Sequence, residues 1–204
     1  MPGPESDPAG GGRTAGGRPR DPSLDGRILA AAEQRLREQG YAGMSIEAVA
    51  SAAHTSVPSV RRRYRDRAAL AAAVIDTWRV EPLPSASGPA RRRALAILEN
   101  FARNLALGDS MPLLGMLLAE ESRHPELLER FRTRLVKPRR AMLAEAVKDG
   151  VAAGELPPDT EVDAVVNMLI GSFYARHIAR GTIPRDWARR ALAQVWPPPP
   201  PDRR

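Results

Sequence analysis

Residues 54–66 read HTSVPSVRRRYRD, and with Arg67 added the segment carries five arginines in the seven positions 61–67. At the helical period of about 100° per residue, Val57, Val60 and Tyr64 fall in one narrow arc. Pro58, Ser59 and Arg62 point the opposite way, and Arg61 and Arg63 lie on the two flanks. A solvated charge run needs no such apolar spacing. A membrane-surface helix pairs its charges with large exposed apolar groups, whereas the apolar residues here are few and are needed on the inner side. A short helix pinned by three apolar residues, with small and basic groups outward, has the pattern of a helix-turn-helix reading head. Its N-terminal residues can enter a major groove while its arginines reach phosphates.

The neighbouring segments fit that pattern. Leu24, Ile28, Ala32 and Leu36 recur every four residues behind a cap at Asp21 or Ser23, and Gly40 supplies a helix stop. A second, short helix follows from Ser45, with Ile46, Val49 and Ala50 on its inner side. The third begins near Ser56. Asp66 caps a fourth, whose Leu70, Val74 and Trp78 form one stripe. EPLPSASGP, residues 81–89, interrupts the periodicity and marks a boundary. Beyond it the spacing predicts helices over 89–107, 110–122, 125–153, 160–180 and 184–195. MPLLGMLLA, residues 111–119, is apolar on every side, which predicts a central position in a bundle. Pro138 removes a backbone donor from the long helix and predicts a kink or break near residues 134–137.

No segment alternates with the period of a strand, so the fold class is all-α, with about nine helices. A chain of 204 residues with 43% apolar content builds one good-sized core or two modest ones. Residues 1–22 are Gly, Pro and Ala with three arginines against three acids, a composition that cannot offset ordering entropy, and a disordered tail is expected there. Residues 197–204 read as a Pro-rich extended tail. All but two of the 31 basic residues are arginine, the exceptions being Lys137 and Lys148, against 24 acids. Guanidinium forks suit bidentate contacts with phosphates and base edges. Cysteine is absent, which removes disulfides, thiolate metal sites and cysteine nucleophiles. No run approaches the roughly 18–20 apolar residues that span a bilayer, and the N-terminal segment lacks the apolar core of a secretory signal. A cytoplasmic protein with no membrane role is expected.

Residues 27–70, RILAAAEQRLREQGYAGMSIEAVASAAHTSVPSVRRRYRDRAAL, resemble the N-terminal DNA-binding domain of the TetR family of transcriptional regulators. The matching features, in order, are ILAAA, GY after the first helix, SIEAVA on the second, PSV opening the third, Tyr64, and the basic Arg67 followed by Leu70. The chain departs from the family pattern with His54 where glycine is frequent in the turn, Arg61 where tyrosine is frequent, Met44 for threonine and Arg67 for lysine. The resemblance implies that Ser45, Ser56, Arg61, Arg63 and Arg67 hold phosphates of double-stranded DNA. It implies that Val57, Pro58, Ser59 and Arg62 face the bases, Val57 toward a thymine methyl and Arg62 toward a guanine edge. Glu47 can accept from cytosine or act as an exposed capping carboxylate, the plainer role. His54 has no assigned role.

The resemblance also implies a C-terminal domain, residues 89–196, that forms a homodimer and holds a small-molecule effector. Residues 23–80 form the head with its linking helix. Val162, Val166, Leu169 and Ile170 on one helix, with Trp187, Leu192 and Val195 on the next, make an apolar face wider than one helix contact requires, and are the candidate dimer interface. Trp78, Phe101, Met116, Phe131 and Met142, with Met168, Phe173, Tyr174 and His177, are large or polarizable groups on the helices expected around a pocket. The function implied is a homodimeric repressor, released from a near-palindromic operator by a small apolar or amphipathic ligand.

Two other functions compete with this one. An enzyme would need converging chemistry, but His54, His124 and His177 are scattered, no metal-ligand spacing appears, and no glycine-rich phosphate loop follows a strand. No catalytic residue, metal or cofactor is expected. The alternative is a helical interaction protein that keeps the head but acts through protein partners.

Overall fold

The computed structural model describes residues 22–78, 81–106 and 110–197. The expectations for the two tails therefore lie outside the described residues, except at Pro22 and Pro197. The elements, in order, are α1 (Pro22–Gly43), α2 (Ile46–Ala52), α3 (Val57–Arg61), α4 (Arg67–Thr77), α5 (Ala90–Ala106), α6 (Ser110–Ala119), α7 (Pro125–Phe131), a π-helical turn (Arg132–Val136), α8 (Lys137–Ala152), α9 (Val162–Ile178) and α10 (Trp187–Val195). Among the described residues there is no strand. Since α7, the π turn and α8 follow without interruption, the helical rods among the described residues number nine.

Short-range chemistry fixes the head. Gly40 adopts φ 67°, ψ −172° and bends α1 before its last residues, a conformation that costs glycine little. Ser45 caps α2 by accepting from the Ala48 N–H at 3.0 Å, and Ser56 caps α3 by accepting from Ser59. Asp66 caps α4 through Ala69 at 2.7 Å. Each cap satisfies a backbone donor that the first helical turn leaves open. Ile28, Leu36, Val49, Val60, Leu70 and Val74 close over one another in a first apolar core.

That core does not stop at the 81–89 boundary. Leu113 and Leu117 of α6 and Leu127 and Leu128 of α7 are buried in it as well. The second core joins α5, α8, α9 and α10, with Ala94, Leu98, Leu143 and Val147 fully buried. Its last member is Trp196, 1% exposed, whose ring lies so close over Gly150 that a Cβ there would sit 2.4 Å from it. The Arg91 Nε donates to the Trp196 carbonyl at 3.0 Å.

Two expectations meet different outcomes. The break forecast from Pro138 is present as the π turn, where the Lys137 N–H donates to the Arg132 carbonyl five residues back. Proline leaves the carbonyl of Arg134 without its usual donor, and the wider turn absorbs the mismatch. The central position forecast for residues 111–119 is corrected: α6 buries Leu113 and Leu117 but leaves Leu118 53% exposed, so it lies at the surface.

Candidate functional site

The turn between α2 and α3 runs through His54 at φ 50°, in the left-handed region. There the Thr55 N–H reaches the Ala50 carbonyl at 2.9 Å, and α3 is turned across α2. Val60 is buried, while Val57 and Tyr64 are partly buried against the same core. Val57 is thus mainly a packing residue with one edge outward. Pro58 and Arg62 are exposed and Ser59 is half-buried. Arg62 donates to the Ser59 Oγ at 2.9 Å.

The arginines are not equivalent. Arg61 is exposed and spans to Glu47 on α2 at 3.3 Å; hydrogen bonding to its own backbone N–H, and then to Arg61, holds the Glu47 carboxyl below its usual range. Arg63 has 13% of its side chain exposed and pairs with Asp25 of α1, while its Nη1 donates to the Ser59 carbonyl at 3.2 Å. It is a fastener between α1 and the end of α3. Arg67 lies 4.1 Å over the Tyr41 ring and donates to the Ala42 carbonyl. Arg65, which sequence reasoning passed over, has 87% of its side chain exposed. Arg61, Arg65 and Arg67 line one cleft of about 310 Å³ together with Ser45, Glu47 and Asp66. The missed signal was Arg65 standing just before the Asp66 cap, where a side chain leaves the head outward.

A second feature lies between the head and the rest of the chain. A cavity of about 710 Å³ is walled by Leu29 and Glu33 of α1 and by Thr77 and Trp78 at the end of α4. The rest of the lining comes from α5, α6, α7, the π turn, α8 and α9. Four of the nine expected pocket residues line it: Trp78, Phe101, Phe131 and Tyr174. They form two edge-to-face pairs, Trp78–Phe131 at 6.2 Å and Phe101–Tyr174 at 5.8 Å between centroids. The other five do not line it. Met116 and Met142 pack against the cores, and Phe173 stands behind the wall, edge-on to Trp187 at 5.1 Å. Met168 is 54% exposed, and His177 is exposed.

Arginines missing from the sequence reading line the cavity, as Arg139 does, or tie the elements around it, as Arg134 and Arg130 do. Arg139 of α8 is 7% exposed. It donates to the Asn100 Oδ1 at 3.2 Å, the Leu135 carbonyl at 3.0 Å and the Glu81 carbonyl at 3.1 Å. Burial pulls its pKa down from the usual guanidinium value. Arg134 in the π turn donates to the Ile75 and Trp78 carbonyls at 2.6 and 3.1 Å, closing the C-terminus of α4 with a cation. Arg130 of α7 grips Asp76 of α4 from the same side. The cavity, α4 and the 81–89 segment are thus tied by three arginines.

The expected dimer face is corrected at four of its seven residues. Val166, Leu169, Trp187 and Leu192 are 5% exposed or less in the chain's own second core, and Val162, Ile170 and Val195 pack against it. The first four are thus already covered within the chain, while the other three are half-buried. The opposite side of α9 presents Ala164, Met168, Gly171, Ala175 and Ile178 at spacings of four and three, with Met168 54% and Ile178 78% exposed.

Among the described residues no helix is long and apolar enough to cross a membrane, and no group of three potential metal ligands converges.

Comparison with known proteins places this geometry. Residues 28–74 match the family described as bacterial regulatory proteins, tetR family, and residues 84–195 match the tetracyclin repressor-like C-terminal domain. The HTH-type transcriptional regulator Rv1556 of Mycobacterium tuberculosis is 29% identical over 180 residues, covering 86% of this chain and 88% of that protein. MexZ of Pseudomonas aeruginosa, a repressor responsible for antibiotic resistance, shares the fold with a TM-score of 0.69 at 22% identity, covering 88% of this chain and 98% of its own. The flavonoid-responsive regulator FrrA shares it with a TM-score of 0.67 at 18% identity, covering 85% and 92%. With both halves matched and the reading head and its linking helix in place, the chain belongs to the TetR family of transcriptional regulators.

Proposed function

We propose that the protein is a homodimeric repressor that leaves a near-palindromic operator when a small apolar or amphipathic molecule fills the 710 Å³ cavity. The observation that carries this reading is the shared wall: α1 and α4 belong to the reading head, and both border the cavity. A ligand there has different contacts in any two positions of the head, which is the condition for shifting between them. The printed descriptions of MexZ as a repressor and of FrrA as flavonoid-responsive support the same mode.

In this reading residues 23–80 are the head with its linking helix and residues 89–196 the ligand-binding and dimerisation part. Pro58, Ser59 and Arg62 meet base edges with the outer edge of Val57. Ser45, Ser56, Arg61, Arg65 and Arg67 meet phosphates. The partner subunit packs on the outer stripe of α9, where Gly171 and Ala175 allow close approach and Met168 and Ile178 supply apolar area. A two-fold axis then sets two α3 helices about 34–36 Å apart, one turn of duplex.

The test is recovery of genomic fragments bound by the protein, followed by titration of the recovered duplex between about 50 and 200 mM salt. Tight, steeply salt-dependent binding is expected, with a dimer mass in sedimentation that Ala175→Arg reduces to a monomer. Absence of binding to any fragment at low salt overturns direct DNA recognition and leaves the head to protein partners.

A further inference from the structure

The polar lining of the cavity is unbalanced. Among the described residues its charged groups are Glu33, Arg37, Arg139 and Arg140. Glu33 is taken by Arg37 at 2.8 Å, and Arg140 reaches Asp163 at 2.8 Å. Arg139 is the most buried of the four, and its acceptors are an amide and two carbonyls, with no carboxylate among them. A guanidinium has five N–H groups, so two of those on Arg139 are unshared. A buried cation without a counter-charge is costly, and the cost is removed when an anion is brought to it. The remaining lining is also rich in donors. The Trp78 Nε1–H is buried without an acceptor, and burial raises the Tyr174 phenol above its ordinary pKa, keeping it protonated. Asn104 already has both ends engaged, with Glu81 and with Asn100.

The apolar lining supplies the rest of the description. The Trp78–Phe131 and Phe101–Tyr174 pairs, all four rings in the lining, offer ring edges and faces to the space, a setting for a planar body. The volume is within the range of roughly 300–1,000 Å³ in which small-molecule sites fall.

We infer that the cavity takes an aromatic acid, its rings between the two aromatic pairs and its anionic group on the Arg139 guanidinium. This rests on the reading of the cavity as the effector site and narrows it to a chemical class. It also gives that class a route to the head. Arg139 holds the Glu81 carbonyl in the segment leading out of α4, so an acid bound to this guanidinium acts directly on the support of that segment.

The test compares two environment-sensitive dyes with one aromatic skeleton, 8-anilinonaphthalene-1-sulfonate and the uncharged N-phenyl-1-naphthylamine, titrated into the full chain by fluorescence. Apolar burial alone favours the uncharged dye. We expect the sulfonate to bind about tenfold tighter or more, the margin of a charge-assisted contact over a neutral one. In Arg139→Gln that preference falls to about one or below, while Arg139→Lys, which keeps the charge without the fork, retains part of it. The comparison of the two dyes on the unaltered protein stands even where a variant folds poorly. Since the chain carries a net charge of +7, surface binding of the sulfonate is separated by Leu105→Trp, which fills the cavity and should block both dyes. Equal binding, or preference for the uncharged dye, that Leu105→Trp blocks overturns the acid and leaves the cavity as the effector site. Signals that Leu105→Trp leaves unchanged overturn both.

Discussion

The rings of Tyr41 and His124 meet edge to face, with centroids 4.6 Å apart and planes at 61°. Tyr41 ends the reading head's first helix and His124 sits in the turn between α6 and α7, so this contact joins the two parts of the chain. The Arg67 guanidinium lies over the same tyrosine ring, and the tyrosine hydroxyl is buried without a partner. His124→Ala should cost about 0.5–1.5 kcal/mol, the worth of an aromatic pair beyond its area. Tyr41→Phe should be neutral or stabilising by up to about 1 kcal/mol, because it removes an orphaned polar group and keeps the ring. Urea unfolding of both variants checks this, and a Tyr41→Phe loss equal to that of His124→Ala would show that the hydroxyl is engaged.

Arg63 and Arg65 should separate stability from DNA affinity. Arg63→Ala breaks the Asp25 tie at 13% exposure and should lower stability by about 1–2 kcal/mol, between the exposed and buried cases. Arg65→Ala should leave the melting temperature in place while reducing the salt slope of operator binding by about one. Paired melts and salt titrations read both effects; a slope unchanged by Arg65→Ala removes it from the phosphate contacts.

His54 occupies a left-handed turn position at φ 50°. A side chain there costs on the order of 1–2 kcal/mol, part of which glycine recovers after its own entropy loss. His54→Gly should therefore raise stability by about 0.5–1 kcal/mol with operator affinity retained, measured by denaturant midpoint at constant m-value. A fall in operator affinity would give the imidazole a contact of its own.

Asp76 makes the link between α4 and α7 sensitive to acid. Its hydrogen bond with Arg130 holds the carboxyl below its ordinary 3.8, against the opposing effect of burial. Because the folded value is the lower one, the unfolded chain binds the proton first. The added stability is fully present above about 3.8 and is lost as pH falls through the folded value. Asp76→Asn should lose less stability than the parent between about pH 4 and pH 2, compared by unfolding midpoints at each pH. Parallel curves would contradict the link.

Much of the head was legible because its determinants are local. Ser45, Ser56 and Asp66 cap their helices within three residues of sequence, and the Val57–Val60–Tyr64 arc predicted the inner side of α3. What escaped is long-range. Along α9 all but Asp163, Asn167, Arg176 and His177 are apolar, aromatic or small, so apolar spacing alone did not separate the side buried by α5, α8 and α10 from the side with Met168 and Ile178. Arg139 and Arg140 are neighbours of one type, and only the packing of α5 against α8 sets one inside and the other at the rim. The π turn was visible as a proline, yet its role in aiming Arg134 at the end of α4 needed the distance from residue 134 back to residue 78.

The burial of Leu113, Leu117, Leu127 and Leu128 with the head's own side chains means that the head is not a transplantable module. A fragment ending at the 81–89 segment would present a raw apolar floor to water. A hybrid regulator made by exchanging residues 23–80 for those of a relative would bring a head shaped for another pair of helices. Such a graft must carry the α6 and α7 surface with it, so new DNA specificity and part of the cavity wall are inherited together.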